Sequence, residues 1–416
     1  MTDGGYLSIS EARDEAASVY ARNDPTPKPP AAVPSWAWAD LDRKFQDSLQ
    51  EIRVTKSGRI KYPSAGTQED VRLTLSKAPL TAWRKISINA LTADMIVDAI
   101  NYIHQNHGHR TCCKSLTYLK STMNYALKKR RESGLVCGTA WWMMIEPPDP
   151  EGKEIEAMIE RKTTLTQAKS DFTVDNLGEL LVKHEEYCAG RTAEQKISPG
   201  IRWGVWWICY TGNRRRSPTV LRREELLMAD PFAEVGWGRA MWGAHEMKGQ
   251  AGFWLPLPPD VLHIAVSSMQ DWRALVNKSH GFHHNTQWVF SSTRRIGRNP
   301  DTLDVAVNGS SLSHYLADLR ADYKLDMRMP KFTMQLTRSV IGNFLDHYPG
   351  MPSSASSLLL SHALKNGSDD AAPTTKRFYL TSQRMDLKAQ AMRAWSDALM
   401  NAYIKAGGIP PMPSEQ

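Results

Sequence analysis

The sequence predicts a multidomain protein, in which an all-α domain precedes a mixed α/β domain that is mainly helical with a small antiparallel sheet. Apolar residues recur at helical spacing between residue 35 and about residue 148. Further on, Arg239 to His245 and Ala251 to Leu257 flank the turn Met247-Lys-Gly-Gln250, a pattern typical of a β-hairpin. The chain has 416 residues and is 41% hydrophobic, which is enough for two cores.

Charge and composition narrow the class of protein. The net charge of +8 and the pI near 9.1 favour a polyanionic partner such as nucleic acid. The first 25 residues carry acidic side chains, among them Asp3, Glu11, Asp14 and Glu15, and no apolar run, so we predict no signal peptide. No stretch approaches the roughly 18 apolar residues of a membrane helix. Five cysteines without regular spacing indicate a reducing compartment. We therefore expect a cytoplasmic protein with no membrane partner.

Proline and charge patterns divide the chain into five segments. Residues 1–34 are an N-terminal extension that ends in a proline-rich linker, and residues 35–148 form the first, helical domain. Residues 149–171 are charged and proline-interrupted, as in an interdomain linker, and residues 172–384 form the second domain. Residues 385–416 form a C-terminal helix and tail. Its apolar stripe either closes the same core or docks on a neighbouring protomer in trans. That stripe is Ala389, Met392, Trp395, Leu399 and Tyr403.

Two helices are predicted in the first domain. Thr92 is placed to cap a helix that continues through Ile96 and Ile103. The segment from Thr111 to Arg131 has one apolar stripe and one stripe of amines and short hydrogen-bonding groups. This polar stripe consists of Lys114, Thr117, Ser121, Asn124, Lys128 and Arg131. Such a face suits binding to the DNA backbone, because phosphates need cations and small polar groups fix register. A solvated helix face is the alternative interpretation.

A cluster of potential metal ligands lies between these helices. It contains His104, His107, His109, Cys112 and Cys113. The spacing fits no recognised zinc pattern, so we assign no metal and interpret the cluster as a helix–turn–helix joint.

The second domain begins near Phe172 with a helix that Thr173 or Asp175 can cap. The next helix, Ile201 to Tyr210, contains Trp203, Trp206 and Trp207. We predict that these tryptophans belong to the core rather than to a base-stacking platform, because indole rings bury large areas.

Five groups along the second domain fit phosphoryl transfer without a metal. Arg214 ends Thr211-Gly-Asn-Arg, Lys248 lies in the hairpin turn, and Arg338 follows Gln335 by one helical turn. Then come Leu360-Ser-His362 and Tyr379. Two arginines can clamp a phosphate through planar donors, and a lysine or histidine can protonate the leaving oxygen. A tyrosine can attack the phosphorus and store the bond energy in a covalent intermediate.

In this order and context, the residues resemble those of the tyrosine recombinase (phage integrase) family, and the resemblance covers most of the chain. Tyr118-Leu-Lys-Ser-Thr-Met-Asn-Tyr-Ala126 likewise resembles the family's helical (SAM-like) core-binding domain. The resemblance implies a site-specific recombinase or integrase, of bacterial or phage origin, that serves a mobile element. Its catalytic residues would be Tyr379, Arg214, Arg338, His362, Lys248 and Gln335.

The resemblance also has implications for cofactors and partners. It implies that neither ATP nor a metal is needed. The partners would be double-stranded DNA with a specific recombination site, a homotetramer in the synaptic complex and an accessory DNA-bending or directionality factor.

The sequence departs from the family pattern at two positions. The family's first histidine is Gln335 here, and an acidic position three residues after the first arginine is Ser217, with Glu224 and Glu225 as candidate substitutes. The general base is therefore not identified. Two alternatives follow: an architectural DNA-binding protein of the same ancestry with weakened catalysis, and topoisomerase-like relaxation by the same chemistry. Tyr348 and Tyr403 are rival candidates for the nucleophile.

Overall fold

The structure is a computed structural model that divides into two compact units, one ending at Met158 and the other starting at Ile159. It describes residues 35–51, 53–54, 60–61, 63–191, 197–231, 233–243, 246–247, 252–280, 286–293, 305–361 and 384–410. The predicted N-terminal extension, residues 1–34, lies outside these ranges.

The first unit is built on helices around a core of its own. They are α1 (Trp38–Ser48), α2 (Ala65–Leu75), α3 (Ala78–Thr81), α4 (Ala93–His107), α5 (His109–Lys128) and α6 (Arg130–Ser133). A two-stranded antiparallel ribbon joins them, formed by β1 (Arg53–Val54) and β2 (Ile60–Lys61). The sequence did not predict this ribbon, because strands of two residues are too short to show an alternating pattern.

The sequence signals for α4 and α5 are confirmed. Thr92 caps α4, since its side-chain oxygen accepts a hydrogen bond from the Met95 N–H at 3.3 Å. Gly108, with φ of +79°, separates the two helices. The apolar stripe of α5, including Leu116, Leu119 and Met123, is buried in the first unit's core.

The histidine and cysteine cluster forms the α4–α5 joint. His104 Nε2 lies 2.7 Å from a carboxylate oxygen of Glu154, and the other oxygen accepts the His109 backbone N–H at 3.0 Å. Cys113 Sγ lies 3.3 Å from His109 Nε2. Glu154 thus occupies the N-terminus of α5, where a negative charge complements the helix dipole.

Residues 149–171, expected as a linker, are largely helix α7 (Gly152–Asp171), and the division between the units falls inside it. The helix begins after the last of three prolines, and glutamate, alanine, methionine and lysine in its interior favour a helix. Nearly every residue from Gly152 to Gln167 is exposed.

In the second unit, several helices pack against one very apolar helix, the one that spans Pro199–Thr211. The helices are α8 (Val174–Ala189), α9 (Pro199–Thr211), α10 (Pro259–His280), α11 (Gly309–Asp322), α12 (Met334–His347), α13 (Ser354–Leu359) and α14 (Met385–Lys405). Thr173 and Asn176 cap α8 reciprocally, as predicted for Thr173. Trp203, Trp206 and Trp207 on α9 are buried, which confirms their assignment to the core.

A three-stranded antiparallel sheet completes the second unit. Its order is β3 (Leu226–Leu227), β4 (Gly238–Trp242) and β5 (Phe253–Leu257), with Ala240 opposite Leu255. The two predicted strands and their antiparallel pairing are therefore confirmed, whereas residues 248–250 of the predicted turn lie outside the described residues.

Helix α14 packs against α8 and along β5. From its apolar stripe, Met392, Trp395, Leu399 and Tyr403 are buried in the core of the second unit. Trp395 Nε1 also donates to the Cys209 carbonyl of α9 at 3.1 Å. Closing the unit's own core is thus a role that the stripe fulfils. Among the described helices, none is long and apolar enough to cross a bilayer.

Candidate active site

The first arginine of the site follows a tight helix end. Helix α9 terminates at Gly212, whose φ of +58° lies in the left-handed region. Thr211 Oγ1 donates to the Trp207 carbonyl at 2.7 Å and accepts the Asn213 N–H at 3.3 Å. These bonds fold Thr-Gly-Asn into a compact cap, and Arg214 leaves it partly exposed.

Gly212 is also a point of close approach. A Cβ at this position would lie 2.6 Å from Ile341 Cδ1 and 2.7 Å from Leu360 Cδ2. Carbon atoms in contact stay roughly 3.5–4.0 Å apart, so a Cβ here would force these two buried side chains to shift. The Thr-Gly-Asn-Arg turn therefore lies directly against α12 and the end of α13.

The second arginine connects these segments. Arg338 lies on α12 and is 5% exposed. One terminal nitrogen donates to the Gly212 carbonyl at 2.6 Å, and the other donates to the Leu360 carbonyl. Two segments far apart in sequence are thus fixed to one guanidinium, which orients its plane.

Arg338 remains cationic at neutral pH although it is buried. Burial, and secondarily the charge of Arg214, lower the pKa of Arg338 to about 10. This value stays well above 7, so the side chain of Arg338 keeps its positive charge at neutral pH. Two neighbouring cations repel each other, so an anion that both can contact would relieve the repulsion. The arrangement is suited to a phosphate.

The comparisons with known proteins give solved structures only. No protein-family model matches the sequence, and no curated protein matches it. The chain is similar to a lambda integrase tetramer bound to a Holliday junction, at 12% identity over 88% of this chain and 91% of that chain, with a TM-score of 0.47. It is similar to the XerH site-specific recombinase bound to difH substrate, at 11% identity over 80% of this chain and 90% of that chain, with a TM-score of 0.45. A Tn1549 transposon integrase in complex with a circular intermediate DNA matches at 12% identity, with coverages of 82% and 98% and a TM-score of 0.37.

Three of the predicted catalytic residues, Lys248, His362 and Tyr379, lie outside the described residues. The segment before His362 is described: Leu360 is buried, and Ser361 has a φ of +52°. Gln335 is exposed on the first turn of α12, one turn before Arg338.

Glu224 and Glu225, the candidate substitutes for the acidic residue that Ser217 replaces, both lie against Arg222. Glu225 accepts the Arg222 N–H at 3.0 Å, and Glu224 lies 3.5 Å from the Arg222 side chain. Ser217 is buried, and its carbonyl accepts the Trp242 indole N–H at 3.0 Å. In the part of the chain that the structure describes, Arg214 forms no ion pair with any of them.

The two rival tyrosines differ in environment. Tyr403 is 3% exposed, packs edge-on against Trp206 and has a pKa raised mainly by burial. Such a tyrosine is a structural residue of the core. Tyr348 is 41% exposed and packs against Phe344.

The polar stripe of the first unit contains both exposed and engaged residues. Thr117, Ser121 and Lys128 are exposed on α5, and Arg131 is exposed on α6. Lys114 instead pairs with Asp70. Asn124 is bonded to the turn after α6, as described below, so it and Lys114 have structural partners that the periodicity did not reveal.

Proposed function

We propose that this protein is a site-specific tyrosine recombinase that cleaves and rejoins DNA through a 3′-phosphotyrosyl intermediate, for the integration or excision of a mobile element. The observation that carries the proposal is the pairing of Arg338 with the Arg214 turn. Two cations held side by side, in the motif order of this family, provide an anion site for a scissile phosphate.

Each site residue has a proposed role. Tyr379 loses its phenolic proton to water and attacks the phosphorus, and the bond to the 5′ oxygen breaks. The leaving 5′ oxygen takes a proton from Lys248 and becomes a free hydroxyl. Arg214, Arg338 and His362 stabilise the charge on the non-bridging oxygens. Gln335, exposed beside this site, donates an amide N–H where the family has an imidazole.

The proposed partners follow from this chemistry. Double-stranded DNA with a recombination site would be bound by a helical DNA-binding domain and by a catalytic domain, with four protomers on two duplexes. The described exposed residues of the polar stripe, Thr117, Ser121, Lys128 and Arg131, would contact the DNA backbone. The protein would act in the cytoplasm of a bacterium or phage-infected cell, with a directionality factor as a further partner.

Covalent capture tests the proposal. Wild type and Tyr379→Phe are mixed with nicked duplexes that carry the ends of the host element, and the reaction is stopped with detergent. We expect a protein–DNA adduct that Tyr379→Phe abolishes, because phenylalanine has no nucleophilic oxygen. Tyr348→Phe is the matched control, since it removes the hydroxyl of a partly exposed tyrosine and should leave the adduct intact.

Gln335→His distinguishes a recombinase from a non-cleaving DNA-binding protein. An adduct that forms with Gln335→His, but not with wild type, would indicate an architectural protein with lost catalysis. An adduct that persists in Tyr379→Phe would contradict the assignment of the nucleophile. Strand exchange between two marked duplexes separates recombination from topoisomerase-like relaxation.

A further inference from the structure

An apolar turn borders the polar stripe of α5. The 3₁₀ turn Trp141–Met144 buries Trp142 completely in the first unit's core. The two residues that follow it are exposed: Met143 to 48% and Met144 to 85%. A buried indole therefore anchors a turn that presents two long apolar side chains to solvent. Covering this apolar surface with a partner would be favourable.

Three bonds fix this turn to α5. Asn124 Oδ1 accepts the Trp142 indole N–H at 2.9 Å, and Asn124 Nδ2 lies 3.3 Å from Met143 Sδ. The ammonium of Lys120 donates to the Met143 carbonyl at 3.0 Å. Lys120 and Asn124 are one helical turn apart, Asn124 in the polar stripe and Lys120 beside it. The methionines are thus held at the border of that stripe.

The surroundings favour a polyanion as the occupant. Exposed Lys128 at the end of α5 is followed by the cations Lys129, Arg130 and Arg131. Among the carboxylates near these cations, Glu132 pairs with Lys129, Glu51 also interacts electrostatically with Lys129, and Glu146 is exposed. Lysine is depleted from the core of protein–protein interfaces, whereas phosphate backbones require cations. Methionine, unbranched and flexible, is among the residues that insert as apolar wedges into DNA.

We propose that Met143 and Met144 make an apolar contact with duplex DNA, beside phosphate contacts from the cations of α5 and α6, and that Asn124 is the positioning residue of this turn. The inference rests on the DNA binding of the proposed function and adds a contact that is not electrostatic. The helical spacing of the polar stripe predicts Asn124 as a direct DNA contact, and that stays a prediction. Its two side-chain bonds add the role of holding the methionines.

Salt-dependent binding distinguishes this contact from an electrostatic one. Wild type and the double variant Met143→Ser/Met144→Ser are titrated into a fluorescein-labelled duplex of mixed sequence, at several KCl concentrations, with fluorescence anisotropy as the readout. We expect affinity to fall roughly tenfold, from lost apolar burial. The slope of log affinity against log salt should not change, since serine alters no phosphate contact. Lys128→Ala should instead reduce the magnitude of that slope by about one.

Two controls test whether any exposed methionine affects binding and whether the double variant is folded. Met327→Ser changes a methionine that is 83% exposed in the second unit, and it should leave affinity unchanged. Thermal melts of the double variant should match wild type, because both substituted side chains are exposed. Asn124→Ala should weaken binding in the wild-type background and add little in the double variant, as expected for a residue that acts through the turn.

Affinity of the double variant within twofold of wild type would overturn the proposal. So would unchanged DNA binding combined with loss of self-association in sedimentation velocity, which would assign the turn to a second protein chain. Wild type that binds duplex tightly but forms no covalent adduct would contradict the recombinase chemistry and leave this contact standing. Wild type that binds no duplex would refute both.

Discussion

Gly212 occupies the point where the segments of the candidate active site meet. Its positive φ ends α9, its missing side chain admits Ile341 and Leu360, and its carbonyl accepts a bond from Arg338. One residue thus determines the direction in which the chain leads to Arg214 and the plane of the second guanidinium. Both effects depend on the absence of a Cβ.

Gly212→Ala should destabilise the protein by about 3 kcal/mol, the sum of a left-handed backbone for alanine and of overpacking against two side chains. Urea unfolding measures this loss. Gly350→Ala is the matched control: its φ is +76°, but no atom lies within 4 Å of the added Cβ. It should cost only about 1 kcal/mol, the backbone part alone. Equal losses in the two variants would contradict close packing at Gly212.

His184 gives the second unit a dependence on acid. The residue is fully buried, its Nε2–H donates to the Arg202 carbonyl at 3.0 Å, and its Nδ1 accepts the Tyr315 hydroxyl at 2.6 Å. Burial lowers its pKa to about 4. The unfolded chain therefore binds a proton before the folded one does, and stability is lost as pH falls from the unfolded value near 6.5 through about 4.

Over that interval, wild type should lose up to about 3 kcal/mol through this residue, since each pH unit contributes about 1.4 kcal/mol. Denaturant unfolding at several pH values measures the loss. His184→Gln should show a shallower decline because glutamine does not titrate. A decline of the same steepness in His184→Gln would assign the acid sensitivity to other groups.

At the scale of single residues, the sequence predicted which residues belong to the candidate site better than it predicted what they contact. The motif Thr-Gly-Asn-Arg marked Arg214, and its order relative to Arg338 suggested a common site. The bond from Arg338 to a backbone carbonyl was not predictable, because carbonyl groups are the same at every position and only the fold selects one. Likewise, Asn124 fitted the exposed stripe by periodicity, but its partner Trp142 comes from a segment that periodicity does not place.

At the scale of secondary structure elements, helices α8 and α14 approach through a glycine. A Cβ at Gly178 would lie 2.4 Å from backbone atoms of Ala402, so the two helices are in backbone contact there. Packing of this kind brings Tyr403 on α14 against Trp206 on α9. The fit of the C-terminal helix to the unit thus depends on one small residue.

Gly178→Ala should therefore destabilise the second unit by roughly 1–3 kcal/mol, since backbone atoms cannot yield as side chains do. Gly342→Ala, in α12, is the control of opposite sign. No atom lies within 4 Å of its added Cβ, so better helix propensity should stabilise the protein by about 0.5–1 kcal/mol. Thermal melts of both variants measure these changes in stability. Stabilisation by Gly178→Ala would show that α8 and α14 do not approach this closely.

Elements with a local signal were the ones the sequence could predict. Thr92 and Thr173 indicated where their helices begin, because an N-cap is a local chemical requirement. The paired strands were predicted from the turn residues between them. Residues 149–171 were predicted as a linker from their prolines and charges, and the helical form of α7 was not predicted, although its own residues favour a helix. Apart from Ala168, which is buried in the second core, little of α7 packs against a core, so periodicity gave no help there.

At the scale of the whole molecule, each unit has its own core. One core draws on residues up to Ile145, and the other draws on residues from Ala168 onward. Helix α7 carries the chain across the division, and it has an exposed surface over most of its length.

Limited trypsin digestion should therefore cut first in α7, at Arg161 or Lys162, and leave two fragments that stay folded. Mass spectrometry identifies the cut, and circular dichroism with thermal melts tests each purified fragment. Arg161→Gln/Lys162→Gln should delay this cleavage without changing the melt of the intact chain. Loss of cooperative melting in both fragments would show that neither core is sufficient.

The covering of strand β5 by α14 has a consequence for solubility. A strand at the edge of a sheet exposes a row of backbone groups to which another chain can add a strand. Here Lys388 of α14 reaches this edge and donates to the Trp254 carbonyl at 2.8 Å. Helix α14 and its Lys388 side chain therefore occupy the place that an incoming strand would take. A chain shortened before α14 would expose both this edge and the apolar surface that α14 covers. Aggregation, rather than a milder loss of activity, is then the expected result of such a truncation.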